Sequence, residues 1–229
     1  MEALGDRMKE NYENRFRYKL TRRTPVIIRL DGKAFHTLTR NCEKPFDDGF
    51  ANAMGMTATE LCQNIQGAKC AYIQSDEISI LLTDFDRLTT DAWFDYNLQK
   101  MTSVSAGIAS AVFTLAWEDP DRYAVFDSRA FNIPKEEVAN YFVWRQKDWI
   151  RNSVSMLAQT HFSHNQLHKK GQSDIHEMLY SKGVNWAYLK DMWKNGQFVC
   201  RDGNGWCVSD APIFTHDREA IGRYLALEK

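Results

Sequence analysis

A short run of mostly β-branched residues, Val26-Ile27-Ile28-Arg29-Leu30, stops abruptly at Asp31-Gly32. Further on, Ala71-Tyr72-Ile73 leads into Gln74-Ser75-Asp76-Glu77, and a third run, Ile78–Leu82, follows at once. Short apolar runs bounded by turn residues and carboxylates read as buried strands. Between the first two, Phe50, Ala53, Met54, Thr57, Leu61 and Ile65 recur at three- and four-residue steps, so one helix face points inward, and Gly67 ends that helix. Asp91 is expected to cap a second helix, with Phe94, Leu98, Met101, Val104, Ile108, Val112 and Leu115 on its face; Tyr123–Ile133 reads as a fourth strand. The order β-α-β-β-α-β is the ferredoxin-like arrangement of an α+β fold within the broad α/β class. Strands one and three are then central and antiparallel. The tip of strand one meets the start of strand three, so Asp31 and Asp76 are expected to converge.

From Pro134 the pattern turns mostly helical, with one helix expected over 136–166 and further helical turns over 175–180. Phe198-Val199-Cys200-Arg201 and Trp206-Cys207-Val208 flank Asp202-Gly203-Asn204-Gly205, which signals a hairpin. The expected division is a sheet domain with a basic N-terminal segment over 1–133, and a helical appendage over 134–229.

Of the 229 residues 44% are hydrophobic, enough for a packed core. The formal charge of -1 neither demands nor excludes a nucleic-acid partner. Local charge is more informative: Arg15, Arg17, Lys19, Arg22, Arg23 and Arg29 occur with no acidic residue among them, as in a solvated basic face or a phosphate-contacting patch. The five cysteines form no C-x-x-C and read as reduced thiols of a cytoplasmic protein. Neither a signal peptide nor a membrane span is expected.

Taken singly, Asp31-Gly32 is an ordinary turn and Ser75-Asp76-Glu77 a polar hairpin tip. Taken together on this topology they suggest a shared site for divalent cations. Mg²⁺ takes oxygen ligands and keeps several waters, so two carboxylates plus triphosphate oxygens suit it. Two Mg²⁺ ions could polarise the attacking and the leaving oxygen of phosphoryl or nucleotidyl transfer. Gly32 would let the backbone approach a phosphate and could lend its carbonyl to a metal. The amides of Lys33, Ala34, Phe35 and His36 could cradle phosphate oxygens, and Lys33 and Lys44 could neutralise a leaving pyrophosphate.

The set 29–36 (Arg-Leu-Asp-Gly-Lys-Ala-Phe-His), Lys44-Pro45, 74–77 (Gln-Ser-Asp-Glu) and 144–148 (Trp-Arg-Gln-Lys-Asp) resembles the tRNA-His guanylyltransferase family in order and spacing. The resemblance implies a polymerase-like palm and nucleotide addition to the 5′ end of tRNA in the 3′–5′ direction, after activation of the 5′-phosphate with ATP or GTP. It implies that Asp31 and Asp76, helped by the Gly32 carbonyl, carry two Mg²⁺ ions. It also implies that residues 32–36 and Ser75 hold the nucleoside triphosphate, with Lys44 near the phosphates, and that the assembly is a homotetramer. Eukaryotic members carry a His-Ile-Asn-Asn-like run where this chain reads Ile150-Arg151-Asn152-Ser153. The resemblance is therefore strongest to the guanylyltransferase-like branch, which repairs 5′-truncated tRNAs by templated addition. A dedicated tRNA-His guanylyltransferase is the alternative.

Other features carry less. Trp144, Arg145, Lys147, Trp149 and Arg151 interleave rings with cations, as core tryptophans beside solvated charges would, or as an RNA contact would. With Arg22 and Arg23, the cations Arg145, Lys147 and Arg151 are the candidate RNA contacts. His161, His164 and His168 fall at helical spacing, but no further ligand completes a zinc site, and a polar or RNA-facing surface is expected. Asp84-x-Asp86 with Asp95 lacks the glycine of a calcium loop. A palm-fold nucleotidyl cyclase would share the 74–77 hairpin and need no RNA. A non-catalytic RNA-binding module would not need two convergent aspartates.

Overall fold

Six strands form one antiparallel sheet in the order β4-β1-β3-β2-β5-β6, in a computed structural model that describes residues 3–117, 119 and 122–226. The strands are β1 Val26–Gly32, β2 Ala68–Gln74, β3 Glu77–Leu82, β4 Phe126–Asn132, β5 Gln197–Asp202 and β6 Gly205–Asp210. The first four have the ferredoxin-like order read from the sequence. β1 pairs antiparallel with β3 on one side and β4 on the other.

Alternation along β1 splits the core. Val26, Ile28 and Leu30 face helices α1 (Asp48–Asn64) and α2 (Leu98–Trp117), where Met54, Ala58, Leu61, Met101, Ala109 and Phe113 are buried. Ile27 faces the opposite layer with Tyr72, Leu81, Val138 and Phe142, under helix α3 (Lys135–Gln159). Each such fully buried aliphatic side chain contributes about 1.5–3 kcal/mol. Asp47 caps α1 by accepting from the Phe50 amide at 2.8 Å. Past its end, Gly67 has φ +85°, and a Cβ there would lie 2.5 Å from the Thr83 carbonyl oxygen, so only glycine fits.

Three expectations need correction. α2 starts at Leu98, not near Asp91: the Asn97 side chain accepts from the Lys100 amide at 3.0 Å, and Phe94, Asp95 and Tyr96 all take positive φ ahead of it. Burial of Trp93 and Tyr96 outweighs the helical spacing there. α3 stops at Gln159, so His161, His164 and His168 do not share a continuous helix. The third correction concerns the C-terminal hairpin. It joins the sheet, with β5 paired to β2 from Cys70↔Cys200 to Ile73↔Gln197. The sheet thus crosses the division expected at residue 134. The helices after α3 that matter here are α4 (Gln172–Ser181) and α5 (Asp191–Asn195). Among the described residues no helix is long and apolar enough to cross a membrane.

Candidate active site

Asp31 is the penultimate residue of β1, and Asp76 sits in the two-residue turn between β2 and β3. The register places Asp31 opposite Glu77, and the Gly32 amide donates to the Asp76 carbonyl at 3.1 Å. The two aspartates therefore share one end of the two central strands, as the topology predicts. Burial pushes the Asp76 carboxyl up to about 6, and the Asp31 charge adds to the shift. No ion pair to Asp31 or Asp76 occurs among the described residues, while hydrogen bonds from the Asp76 backbone and the Ser75 side chain favour the charged form of Asp76.

Glu77, next in sequence, has a different fate. It is buried and takes a bidentate pair from Arg145 on α3, both contacts at 2.7 Å. Ser79 and Tyr141 extend this network at 3.3 and 2.9 Å. Glu77 is thus a tether between the Asp76 turn and α3, a link that the sequence reading missed. The signal was present in the co-occurrence of Glu77 and the 144–148 motif, but contact between them requires the fold.

A cavity of about 370 Å³ opens beside this edge. Gly32, Ala34, Phe35, His36, Lys44, Ser75 and Asp76 line it on one side; Phe46, Met54, Trp149, Met156, Met192 and Trp193 add an aromatic and thioether wall. Asp31 and Lys33 are not among the lining residues. Ala34 and Ser75 hold left-handed backbone at φ 58° and 48° without being glycine. Such conformations cost about 1–3 kcal/mol each and persist where the surroundings over-determine them, commonly at ligand sites. The Phe35 and His36 amides open a helical turn over Phe35–Leu38, where N–H groups lack intrahelical acceptors.

Two expected phosphate donors are otherwise engaged. The Lys33 amide donates to the Val125 carbonyl at 2.8 Å, and the Lys33 side chain is exposed. Gly32 has a packing reason to be glycine: a Cβ would lie 2.5 Å from the Phe35 ring. Lys44 reaches the Thr39 carbonyl at 3.0 Å from the cavity wall.

Of the expected RNA contacts, three are committed to the fold. Arg22 donates to the fully buried Asp84 at 2.6 Å and to the Thr90 carbonyl at 3.0 Å. Arg23 donates through its amide to Asp84 at 2.8 Å and through its guanidinium to the Asp84 and Arg87 carbonyls. Arg145 is buried against Glu77. Lys147 and Arg151 are exposed, Arg151 pairing with Asp148 at 2.5 Å. The basic run was legible, but its buried acidic partner lies some sixty residues away in sequence.

The family description tRNA-His guanylyltransferase matches residues 5–134, more than half of the chain. The chain belongs to the tRNA-His guanylyltransferase family. An uncharacterised protein of Acanthamoeba polyphaga mimivirus is 30% identical over 69% of this chain and 62% of its own length. A probable tRNA(His) guanylyltransferase of Drosophila melanogaster is 29% identical over 77% and 66%, and the Schizosaccharomyces pombe tRNA(His) guanylyltransferase 27% over 80% and 76%. The chain thus spans a little under two thirds of the first two relatives. Among solved structures, a bacterial tRNA(His) guanylyltransferase-like protein in complex with ATP is 46% identical, with TM-score 0.94, covering 99% of this chain and 100% of that one. Another, in complex with GTP, is 42% identical with TM-score 0.85, over 98% and 100%.

In tRNA-His guanylyltransferases and their relatives a divalent cation is implied, and the residues here fit Mg²⁺. Asp31 and Asp76 offer two hard oxygen donors that form no ion pair among the described residues, and the Gly32 carbonyl is a third. Among the described residues no three His, Cys, Asp or Glu side chains are grouped to hold a metal by themselves. Mg²⁺ is ordinarily held by one or two carboxylates and completed by waters and substrate phosphates. Family membership also gives the Ile150–Ser153 run a reading. Ser153 is buried, donates to the Trp193 carbonyl at 2.6 Å and accepts from Trp186 Nε1 at 2.9 Å. In this chain it serves the packing of α3 against α5.

Proposed function

We propose that this protein adds nucleotides to the 5′ end of tRNA in the 3′–5′ direction, choosing each by pairing with the opposite strand. The observation that carries the reading is the pair Asp31 and Asp76 at one end of the central strands beside a cavity of nucleotide size. In the first step a 5′-phosphate oxygen of the RNA attacks the α-phosphorus of ATP or GTP, and pyrophosphate leaves. In the second, the 3′-hydroxyl of the incoming triphosphate attacks the activated 5′-phosphorus, and the nucleoside monophosphate leaves. Asp31, Asp76 and the Gly32 carbonyl would hold Mg²⁺, which when bound would supply charge neutralisation at the phosphates and activation of a hydroxyl nucleophile. The Ala34–His36 backbone and Ser75 orient the triphosphate, and Lys44 offsets charge on the departing pyrophosphate. Glu77 and Arg145 keep the Asp76 turn in position.

Three observations support templated repair over a dedicated guanylyltransferase. The His-Ile-Asn-Asn-like run is absent, Ser153 in its place is engaged by the fold, and identity to the bacterial guanylyltransferase-like proteins is higher than to the curated guanylyltransferases. The names of the curated relatives favour the second reading, addition of G at position -1 of tRNA-His. Family membership favours RNA extension over the nucleotidyl cyclase. A cytoplasmic location and a homotetramer belong to the same proposal.

The test uses two 5′-phosphorylated tRNAs that lack their first nucleotide and differ only in the facing base, with each labelled triphosphate. Incorporation that follows the facing base is expected. A templated base leaves no hydrogen bonds unmet, whereas a bare pocket discriminates bases poorly. Addition of G to both, or extension of tRNA-His alone, would favour the dedicated enzyme.

A further inference from the structure

From Trp149 to Ser173 the chain carries no Asp or Glu, yet Arg151, His161, His164, His168, Lys169 and Lys170 all fall there. The fold gathers part of this segment around a second cavity of about 630 Å³, which shares no lining residue with the first. Its polar wall is Ser155 and Gln159 from α3, with Ser163, His164, His168 and Lys170 from the segment between α3 and α4. No carboxylate lines it. The His164 and His168 rings lie side by side, their centroids 6.1 Å apart. Val154, Leu157, Ile175 and Leu179 form a separate buried cluster there, with Leu167 packed against it, so the wall has a fixed base.

These cations differ from those of the N-terminal run. Arg22 and Arg23 are committed to Asp84 and its loop. Lys147, Lys169, Lys170 and the three histidines make no ion pair among the described residues. The flanking carboxylates are already engaged: Asp148 holds Arg145 and Arg151, and Asp174 accepts from the Gly171 amide at 3.0 Å. A concave wall of unpaired cations, with hydroxyl and amide donors and no anion, is complementary to a polyanion.

Helix α3 connects the two cavities. Arg145 holds Glu77 beside the Asp76 turn and Trp149 lines the first cavity, whereas Ser155 and Gln159 line the second. Lys147, Arg151, Ser155 and Gln159 form one row at four-residue steps, and all but the half-buried Ser155 are exposed. From Arg145 to Gln159 the helix axis covers about 20 Å. That is about six base pairs of duplex at roughly 3.4 Å each. A duplex whose 5′ end sits at Asp31 and Asp76 has its backbone within reach of the second cavity along this row. We propose that the second cavity is an RNA-backbone site, where Lys170, His164 and His168 bind phosphates about six base pairs from the 5′ end being extended, an inference that rests on the tRNA reading above.

The experiment measures equilibrium binding of a 5′-phosphorylated tRNA lacking its first nucleotide, as a function of salt, to the wild type, Lys170→Ala, His164→Ala/His168→Ala and Lys9→Ala. Lys9 is an exposed cation that lines neither cavity. Lys170→Ala should weaken binding about three- to fivefold at low salt and lower the slope of log affinity against log salt by about one unit. The histidine pair should weaken binding by a similar factor. Lys9→Ala should do neither, and every variant should bind ATP as the wild type does. An unchanged slope in Lys170→Ala, or losses no larger than those of Lys9→Ala, would overturn the inference. If a variant fails to fold, cross-linking of the wild type decides: a photoreactive uridine about six pairs from the 5′ end should attach within residues 155–170. Attachment confined to other segments, or a wild type that binds no tRNA, sinks the site. A wild type that binds tRNA through this wall but adds no nucleotide would bring down the nucleotide-addition reading and leave the site standing.

Discussion

Arg145 forms a two-pronged pair with Glu77, Nε to Oε1 and Nη2 to Oε2 both at 2.7 Å, and so ties helix α3 to the turn that carries Asp76. Both side chains are buried, and Arg145 also reaches Asp148 at 3.2 Å. The same guanidinium lies 4.5 Å from the Trp144 ring. A hairpin tip would otherwise be among the more mobile parts of a sheet.

Removing one partner of this pair should be expensive. Arg145→Ala leaves the buried Glu77 charge with only the Arg29 guanidinium, 3.7 Å away, a loss toward the lower end of about 3–5 kcal/mol. A chain of this size then melts roughly 10 °C lower. Arg145→Lys should rescue little, because an ammonium cannot make both contacts. Thermal unfolding followed by circular dichroism checks this; a melting point within two degrees of wild type for the alanine variant would refute the tether.

Asp31→Ala and Asp76→Ala should each abolish nucleotide addition while the fold persists. Neither side chain makes an ion pair among the described residues, so little native structure depends on them. Single-turnover extension of a 5′-truncated tRNA measures the first part and circular dichroism the second. Near-full Mg²⁺-dependent activity in either variant would remove it from the cation site.

The apo protein should carry a pH signature of Asp76. Its carboxyl sits at about 6 when folded, chiefly through burial, against an unfolded value near 3.9. Between those values the folded state binds more protons than the unfolded one. The group's contribution is therefore most favourable below about pH 4 and is lost as pH rises through about 6. Asp76→Asn lacks this dependence. Its melting point relative to wild type should be near parity at pH 4.5 and higher by a few degrees at pH 8. A difference that stays constant across that range would contradict the burial-driven shift.

Arg22→Ala and Arg23→Ala should act on stability and not on RNA affinity. Arg22→Ala strips the buried Asp84 of its charged partner, and Arg23→Ala frees two carbonyls of the loop after β3. Loss of a few kcal/mol is expected for the first. The salt dependence of tRNA binding should stay as in wild type. Lys147→Ala, at an exposed position, is the variant expected to lower that slope, by up to about one unit. The reverse pattern would return Arg22 and Arg23 to the RNA interface.

The first four strands, their order and the meeting of Asp31 with Asp76 were legible in the amino-acid chain alone. Those follow from short-range signals: β-branched runs, helical spacing in α1, and a connectivity that allows few arrangements. The Lys44-Pro45 pair, the 74–77 hairpin and the 144–148 motif were also visible as local strings. What they touch was not. The partner of Glu77 lies on α3, that of Arg22 in the loop after β3, and the cavity wall draws Phe46, Trp149 and Trp193 from three separate elements. Which buried charge meets which, and where β5 and β6 dock, depends on packing between segments distant in the chain. Local patterning cannot encode that, because pairing is decided by the desolvation each group avoids once the core has closed.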